Sequence, residues 1–177
     1  MKKITLLLAV TFFTAASFAQ MKTTTSAIVS FDATTPKDLK PIAENKTVIA
    51  ALDTKKGTVA FEALINSFNF SNSMMQDHFN GEKWMDAEKN PKATFTGTIS
   101  NLKSIKFTTD GTYTADVEGD LTMHGITKPV KTTATFTVKN KAISATAAFT
   151  VKLVDYALGN ANGKLADEPK ITVVAEF

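Results

Sequence analysis

The chain contains no cysteine. That excludes disulfides, a thiol nucleophile, a Cys-ligated metal and a lipoprotein anchor built on a cysteine. Arginine is absent too, so all 20 basic residues are lysines. Nucleic-acid readers and bidentate binders of phosphate or carboxylate favour Arg, and the composition points away from both. Charge of one sign does not accumulate, because 17 acidic residues leave a net charge of +3. Trp, Tyr and His number one, two and two. Beyond the first twenty residues no apolar run approaches the roughly 20 residues that cross a bilayer as a helix, so no integral membrane insertion is expected. A Gly-x-Ser-x-Gly elbow and a phosphate-cradling glycine loop are both missing.

The first residues read as an export signal. Lys2 and Lys3 precede an apolar stretch that runs from Ile4 to Phe13, and Ser17-Phe18-Ala19 supplies small residues at a peptidase site. Residues 1–19 are expected to be a signal peptide, and residues 20–177 one exported domain that works in the periplasm. Removing Lys2 and Lys3 lowers the net charge from +3 to +1. No Pro- or Gly-rich linker and no internal repeat divides the remainder.

Period-two alternation dominates that domain. From Thr112 to Thr122, Tyr113, Ala115, Val117, Gly119 and Leu121 share one face, and Thr114, Asp116, Glu118 and Asp120 share the other. Side chains of a strand point alternately to opposite faces, so this reads as a half-buried strand. The pattern recurs over Val130–Val138, Ile143–Leu153 and Ile171–Phe177. Ala27–Phe31, Thr47–Leu52, Thr58–Ile65 and Thr94–Ile99 are further strands, with Leu102–Phe107 a ninth or a continuation. Turn signals at Lys55-Lys56-Gly57, Asp110-Gly111, Asn140-Lys141 and His124–Pro129 separate them. The expected fold is all-β, a sandwich or barrel of antiparallel hairpins. Residues 73–89 break the pattern. Ser73 as cap with Gln76 three residues on predicts a short helix to Phe79, and a second helical turn over Met85–Lys89 stopped by Pro91.

The expected inner face mixes Ala115, Gly119, Ala134, Ala145 and Ala147 with Tyr113, Val117, Leu121, Phe136, Phe149 and Val151. Small residues of this kind leave a lumen open, or they interdigitate with large ones across a packed core. Alternation alone admits both.

The run Gly119-Asp120-Leu121-Thr122-Met123-His124-Gly125-Ile126-Thr127-Lys128-Pro129-Val130 resembles the signature of the YceI-like family of polyisoprenoid-binding proteins. Upstream, His78-Phe79, Trp84-Met85-Asp86 and Pro91-Lys92-Ala93-Thr94-Phe95 match a second family segment in order and spacing. The family's opening Asp-x-x-His-Ser is not evident near Ser30-Phe31-Asp32, and its Asp-Phe-Gly turn appears only as Asp155-Tyr156-Ala157-Leu158-Gly159. The resemblance implies a single antiparallel eight-stranded lipocalin-like β-barrel with a short helical insertion. It also implies a periplasmic carrier holding an isoprenoid or fatty-acyl lipid in an apolar lumen. The lumen and lid candidates are Phe61, Phe68, Phe70, Met75, Phe79, Trp84, Phe95, Tyr113, Val117, Leu121, Met123, Phe136, Ala145, Ala147 and Phe149.

Two rival functions follow from other features. His78 or His124 could serve an enzyme acting on lipid, or join a carboxylate around a metal. Neither belongs to a close ligand pair, so structural roles are expected, with no catalytic residue, metal or cofactor. Asp116, Glu118 and Asp120 read as solvated charge on an outward face. The terminal Phe177 after alternating apolar residues also fits a small outer-membrane barrel. Such barrels need aromatic girdles at both interfaces, which one Trp and two Tyr do not furnish. The sequence leaves the oligomeric state open, a homodimer included.

Overall fold

A computed structural model describes residues 21–36 and 40–177. The expected signal peptide lies outside the described residues. Among the described residues nine strands form one sheet: β1 (Met21–Asp32), β2 (Ile42–Asp53), β3 (Thr58–Leu64), β4 (Asn69–Phe70), β5 (Lys92–Ile99), β6 (Gly111–Met123), β7 (Ile126–Lys139), β8 (Ala142–Thr150) and β9 (Lys170–Glu176). All pairings are antiparallel, and β1 pairs with both β2 and β9, so eight strands close into a barrel. The two-residue β4 pairs with the outer edge of β2, through Ala43 opposite Phe70. Two register shifts, between Thr24 and Ala27 and between Ala27 and Val29, sit in the β1–β2 ladder. Bulges of this kind bend and twist strands, as closure requires.

The alternation orients as expected. Ala115, Val117, Ala134, Phe136, Val138, Ile143 and Ala145 are buried inside, while Thr114, Asp116, Glu118 and Asp120 are exposed outside. Glu118 meets Lys131 at 3.0 Å on that outer face. A face of Thr, Asp, Glu and Lys suits water rather than lipid tails.

Local chemistry accounts for the turns. Asn140 and Lys141 have φ of 52° and 69°, and His124 and Gly125 have 51° and 72°. Two successive positive φ values make the two-residue hairpin turn whose twist matches the strands. The β6–β7 turn is therefore only His124-Gly125, and Ile126–Pro129, expected as part of the connection, belong to β7. At the β2–β3 turn, the Asp53 carboxylate accepts from the backbone N–H groups of Lys55 and Lys56 at 2.9 and 2.8 Å.

Three expectations need correction. Leu102–Phe107 is no strand: Leu102–Ser104 forms a single 3-10 turn, since its Asn101 side chain ties back to Asp116 N and Thr114 O instead of a ladder. The helix, α1 (Ser73–Asn80), is capped by Asn72, whose side chain accepts from Met75 N, and not by Ser73. Gln76 accepts from Phe70 N, which fastens the helix to β4. Residues 85–89 form turns closed by Asp86 O, which accepts from Lys89 N and Asn90 N, and not a second helix.

Two predictions follow. The Asp53 carboxyl lies below its ordinary value of 3.8, held down by the Lys56 and Lys55 backbone donors and the two lysine charges, against a contrary effect of burial. A depressed folded pKa stabilises above the unfolded value and is lost as pH falls through the folded one. Asp53→Asn is expected to lower the melting temperature at neutral pH, with the gap to the parent closing as pH drops below 3.8. A constant gap across that range contradicts this. The second concerns His124, whose Nδ1 lies 2.9 Å from the buried Tyr156 carbonyl. A carbonyl only accepts, so Nδ1 carries the proton. His124→Ala leaves that carbonyl unpaired and is expected to cost about 1–3 kcal/mol in denaturant unfolding.

Candidate functional site

The barrel interior holds a cavity of ≈ 140 Å³, measured as the space open to the centre of a water-sized sphere. One water needs about 10–15 Å³ by that measure, and it also needs polar partners. The walls offer almost none. Strand β3 contributes Val59, Phe61 and Ala63, β5 Ala93 and Phe95, β6 Val117, Leu121 and Met123, and β7 Val130, Thr132, Ala134 and Phe136. Ala145, Ala147 and Phe149 of β8 and Ile171 and Val173 of β9 complete the round with Val29 and Phe31 of β1. Of the two readings left open by the alternation, the lumen is the one realised.

Small residues make that space. Gly97 and Gly119 sit opposite each other in the β5–β6 ladder. A Cβ added at either would lie 2.7 or 2.8 Å from the tip of the Phe95 ring. The ring therefore lies along the wall over two bare backbones and does not project across the lumen. This is the close approach that glycine alone permits.

One end is sealed by aromatics. Phe79 of α1 sits at the centre, with ring centroids 5.0 Å from Phe70, 5.2 Å from Trp84, 5.5 Å from Phe68 and 6.0 Å from Phe31. Tilted and edge-on pairs at such distances are favourable beyond their burial. The segment between β8 and β9 covers the same end, with Leu153, Tyr156 and Leu158 buried. Hydrogen bonds tie these covers down. Trp84 Nε1 donates to Gly159 O at 3.1 Å, His124 Nδ1 to Tyr156 O at 2.9 Å, and Ala166 N to Ala33 O at 2.9 Å. Burial, and then the neighbouring Asp155 charge, push the Tyr156 phenol up to about 12, so it stays neutral under ordinary conditions. At the other end, Ile105 is buried and Phe107 meets Phe136 edge-on at 5.3 Å.

The structure sorts the candidates named from sequence. Phe61, Phe68, Phe79, Trp84, Phe95, Val117, Leu121, Met123, Phe136, Ala145, Ala147 and Phe149 line the cavity. Phe70, Met75 and Tyr113 do not. Phe70 stands behind Phe79 and Phe31, and Met75 is half-buried on α1. The Tyr113 hydroxyl donates to Thr109 O in the loop before β6, which turns the ring toward that end. Sequence reading missed Phe31, Ile65, Met85, Ile171 and Phe177 as lining residues. Phe31, Ile171 and Phe177 share parity with inward neighbours and were legible, while Ile65 and Met85 come from irregular segments. The histidines stand apart in role: His78 is exposed on α1, and His124 is engaged with Tyr156. Among the described residues no group of three His, Cys, Asp or Glu could hold a metal. No helix among them is long and apolar enough to cross a membrane.

Known proteins share this architecture. The BcnA structure of Burkholderia cenocepacia superposes with a TM-score of 0.70 at 20% identity, covering 85% of this chain and 96% of that one. A polyisoprenoid binding domain from Saccharophagus degradans, implicated in plant cell wall breakdown, gives 0.74 at 14% identity, covering 89% and 97%. A UPF0312 protein of Pseudomonas fluorescens is 42% identical over 73 residues, which are 41% of this chain and 36% of that protein. One from Pseudomonas putida is 45% identical over 73 residues, 41% of this chain and 34% of its own length. The matched stretch thus spans about a third of those relatives. The model of the YceI-like domain matches residues 9–177, and the chain belongs to that family.

Proposed function

We propose that this chain is a periplasmic carrier that binds a long-chain amphiphile, an isoprenoid or fatty-acyl lipid, and performs no chemistry on it. Residues 1–19 act as the cleaved export signal and residues 20–177 as the carrier domain. The observation that carries this reading is the cavity wall: formed from all the strands of the barrel except β2, and built almost wholly from aliphatic and aromatic side chains. Each CH₂ moved out of water contributes about 0.8 kcal/mol, so an extended hydrocarbon chain binds tightly without polar contacts inside. The polyisoprenoid binding ascribed to the Saccharophagus degradans neighbour supports the same ligand class. The water-compatible outer face fits an aqueous compartment, and neither histidine faces the cavity wall as a base would need to.

The test is organic extraction of the natively purified protein with mass spectrometry of the extract, run in parallel on Ala147→Phe. Ala147 lines the cavity, and its methyl leaves room for the chain. In a filled core, adding a ring typically costs about 1–3 kcal/mol or more. In a lumen the ring occupies the ligand's place. The expected result is lipid from the parent, none from Ala147→Phe, and similar melting temperatures for the two ligand-free proteins. No lipid from the parent together with a strongly destabilised variant refutes the carrier.

A further inference from the structure

The barrel wall is not equally closed all round. β6 and β7 stay paired from Gly111 opposite Val138 to Met123 opposite Ile126. β8 and β9 stay paired from Ser144 opposite Glu176 to Thr150 opposite Lys170. Between these two pairs of strands, the β7–β8 ladder stops at Ala134 opposite Ala147. The Thr132 hydroxyl reaches Ala148 O at 3.3 Å just past the fork. Among the described residues, the next bond across is His124 to Tyr156. In the parting past the fork, β8 continues only from Ala148 to Thr150, roughly 10 Å at about 3.3 Å per residue, and the Leu153–Tyr156 turn packs against β7 beyond it.

Pro129 belongs to this parting. Alternate pairs of an antiparallel ladder exchange hydrogen bonds, and in a two-residue hairpin the pair flanking the turn does so. Counting from Met123 and Ile126, Pro129 falls at a position whose N–H would point away from β6, toward β8. Proline has no N–H to offer there, and within sheets it is confined to such edges. Ala134, Phe136 and Ala145, where the ladder is intact, are buried, and Val130, Thr132 and Phe149, which line the cavity, are part-buried, as Phe61, Phe95 and Leu121 are elsewhere on the wall.

A charged side chain stands at this rim. Lys128 is cross-strand to Leu121 and two residues from Val130, both cavity-lining, so it occupies the lumen-facing set of positions on β7. It is exposed, and among the described residues it has no ion pair. The other lysines flanking the parting do: Lys131 with Glu118 at 3.0 Å and Lys152 with Glu168 at 3.8 Å. The lumen-facing positions of β5, β6, β8 and β9 carry no charge.

We infer that the head of a bound amphiphile emerges through the parting between β7 and β8, and that Lys128 binds that head as an anion, a phosphate or a carboxylate. The inference rests on the carrier reading and adds the ligand's head chemistry and its exit. An unpaired lysine at the rim of an apolar cavity attracts a negative head while the chain lies inside, where water screens the pair less than at an open surface.

The test uses two probe pairs that differ only in the head: geranylgeranyl phosphate with geranylgeraniol, and palmitate with hexadecanol. Binding to the full exported protein is followed by fluorescence of Trp84, the single tryptophan, which lines the cavity. In at least one pair the parent is expected to prefer the anion by roughly tenfold, a Coulombic effect of one charge at a partly wet site. Lys128→Gln is expected to bring that ratio to about one while binding the alcohol as the parent does, since an exposed side chain is exchanged. Lys22→Gln serves as control, because Lys22 is cross-strand to buried Leu52 at the opposite end. It is expected to keep the parent's ratio. The pair that shows the preference tells phosphate from carboxylate. A parent without preference, a Lys128→Gln protein that retains it, or a Lys22→Gln protein that loses it overturns the proposal while leaving the carrier standing. Failure of all four probes to bind overturns both.

Discussion

A sheet that closes on itself sends every second side chain into a space of fixed width, and the rest of this structure answers to that constraint. Filling the space requires large residues all round; keeping it open requires small ones at particular heights. Here Gly97 and Gly119 accept the Phe95 ring against the wall, and Ala134, Ala145 and Ala147 stand where β7 and β8 face the middle of the lumen. The apolar wall that results would be unstable if wet, so both ends need covers. An aromatic cluster around Phe79 supplies one and the segment carrying Ile105 and Phe107 the other.

Covers made of loops bring buried backbone groups with them, and these need partners. Trp84, His124 and Ala33 provide them through Gly159, Tyr156 and Ala166. This explains what the histidine of the signature does without chemistry. His124 has a positive φ in a two-residue turn, and its ring reaches out from that turn to the cover over the same end. The same reasoning covers Asn45, which is fully buried in β2. Its amide donates to Leu64 O and accepts from Thr47, joining β2 to the end of β3 where no ladder pairs them.

Regular strands were legible in the sequence because parity alone assigns each residue a face. Tyr113 to Leu121, Val130 to Val138 and Ile171 to Phe177 needed nothing else. The existence of a lumen was not legible by that route, since it depends on which alanine stands opposite which wall, and pairing is a long-range property. The Gly97–Gly119 pair illustrates this: each glycine was visible, but their facing each other beneath Phe95 was not. Segments outside the sheet were read least well. Asn72 and not Ser73 caps the helix because Phe70 N draws Gln76 away from the reciprocal cap. Leu102–Phe107 alternates less than it curls, since Asn101 anchors it to β6 through two hydrogen bonds.

The incomplete ladders between β2 and β3, β1 and β9, and β7 and β8 are distinguished by what fills each one. Between β2 and β3, the gap beyond Ile49 is bridged by Asn45 and edged by β4. Between β1 and β9, pairing stops at Ile28 opposite Val174, but Ala27 and Ala175 are 0% and 1% exposed, so packing shuts that seam. Between β7 and β8 the Leu153–Tyr156 turn closes the end near His124, but alongside Ala148–Thr150 neither device is present. A proline occupies the edge, part-buried apolar residues line the banks, and a lysine without an ion pair among the described residues stands at the rim. Proline and lysine at a sheet edge also discourage pairing with another chain. That role accounts for Pro129 and for lysines pointing outward, such as Lys131. Inward-pointing charges also protect edges, so Lys128 in the lumen-facing row is open to both roles, and they differ in one respect: edge protection gives no preference between an anionic and a neutral head, whereas binding a head does.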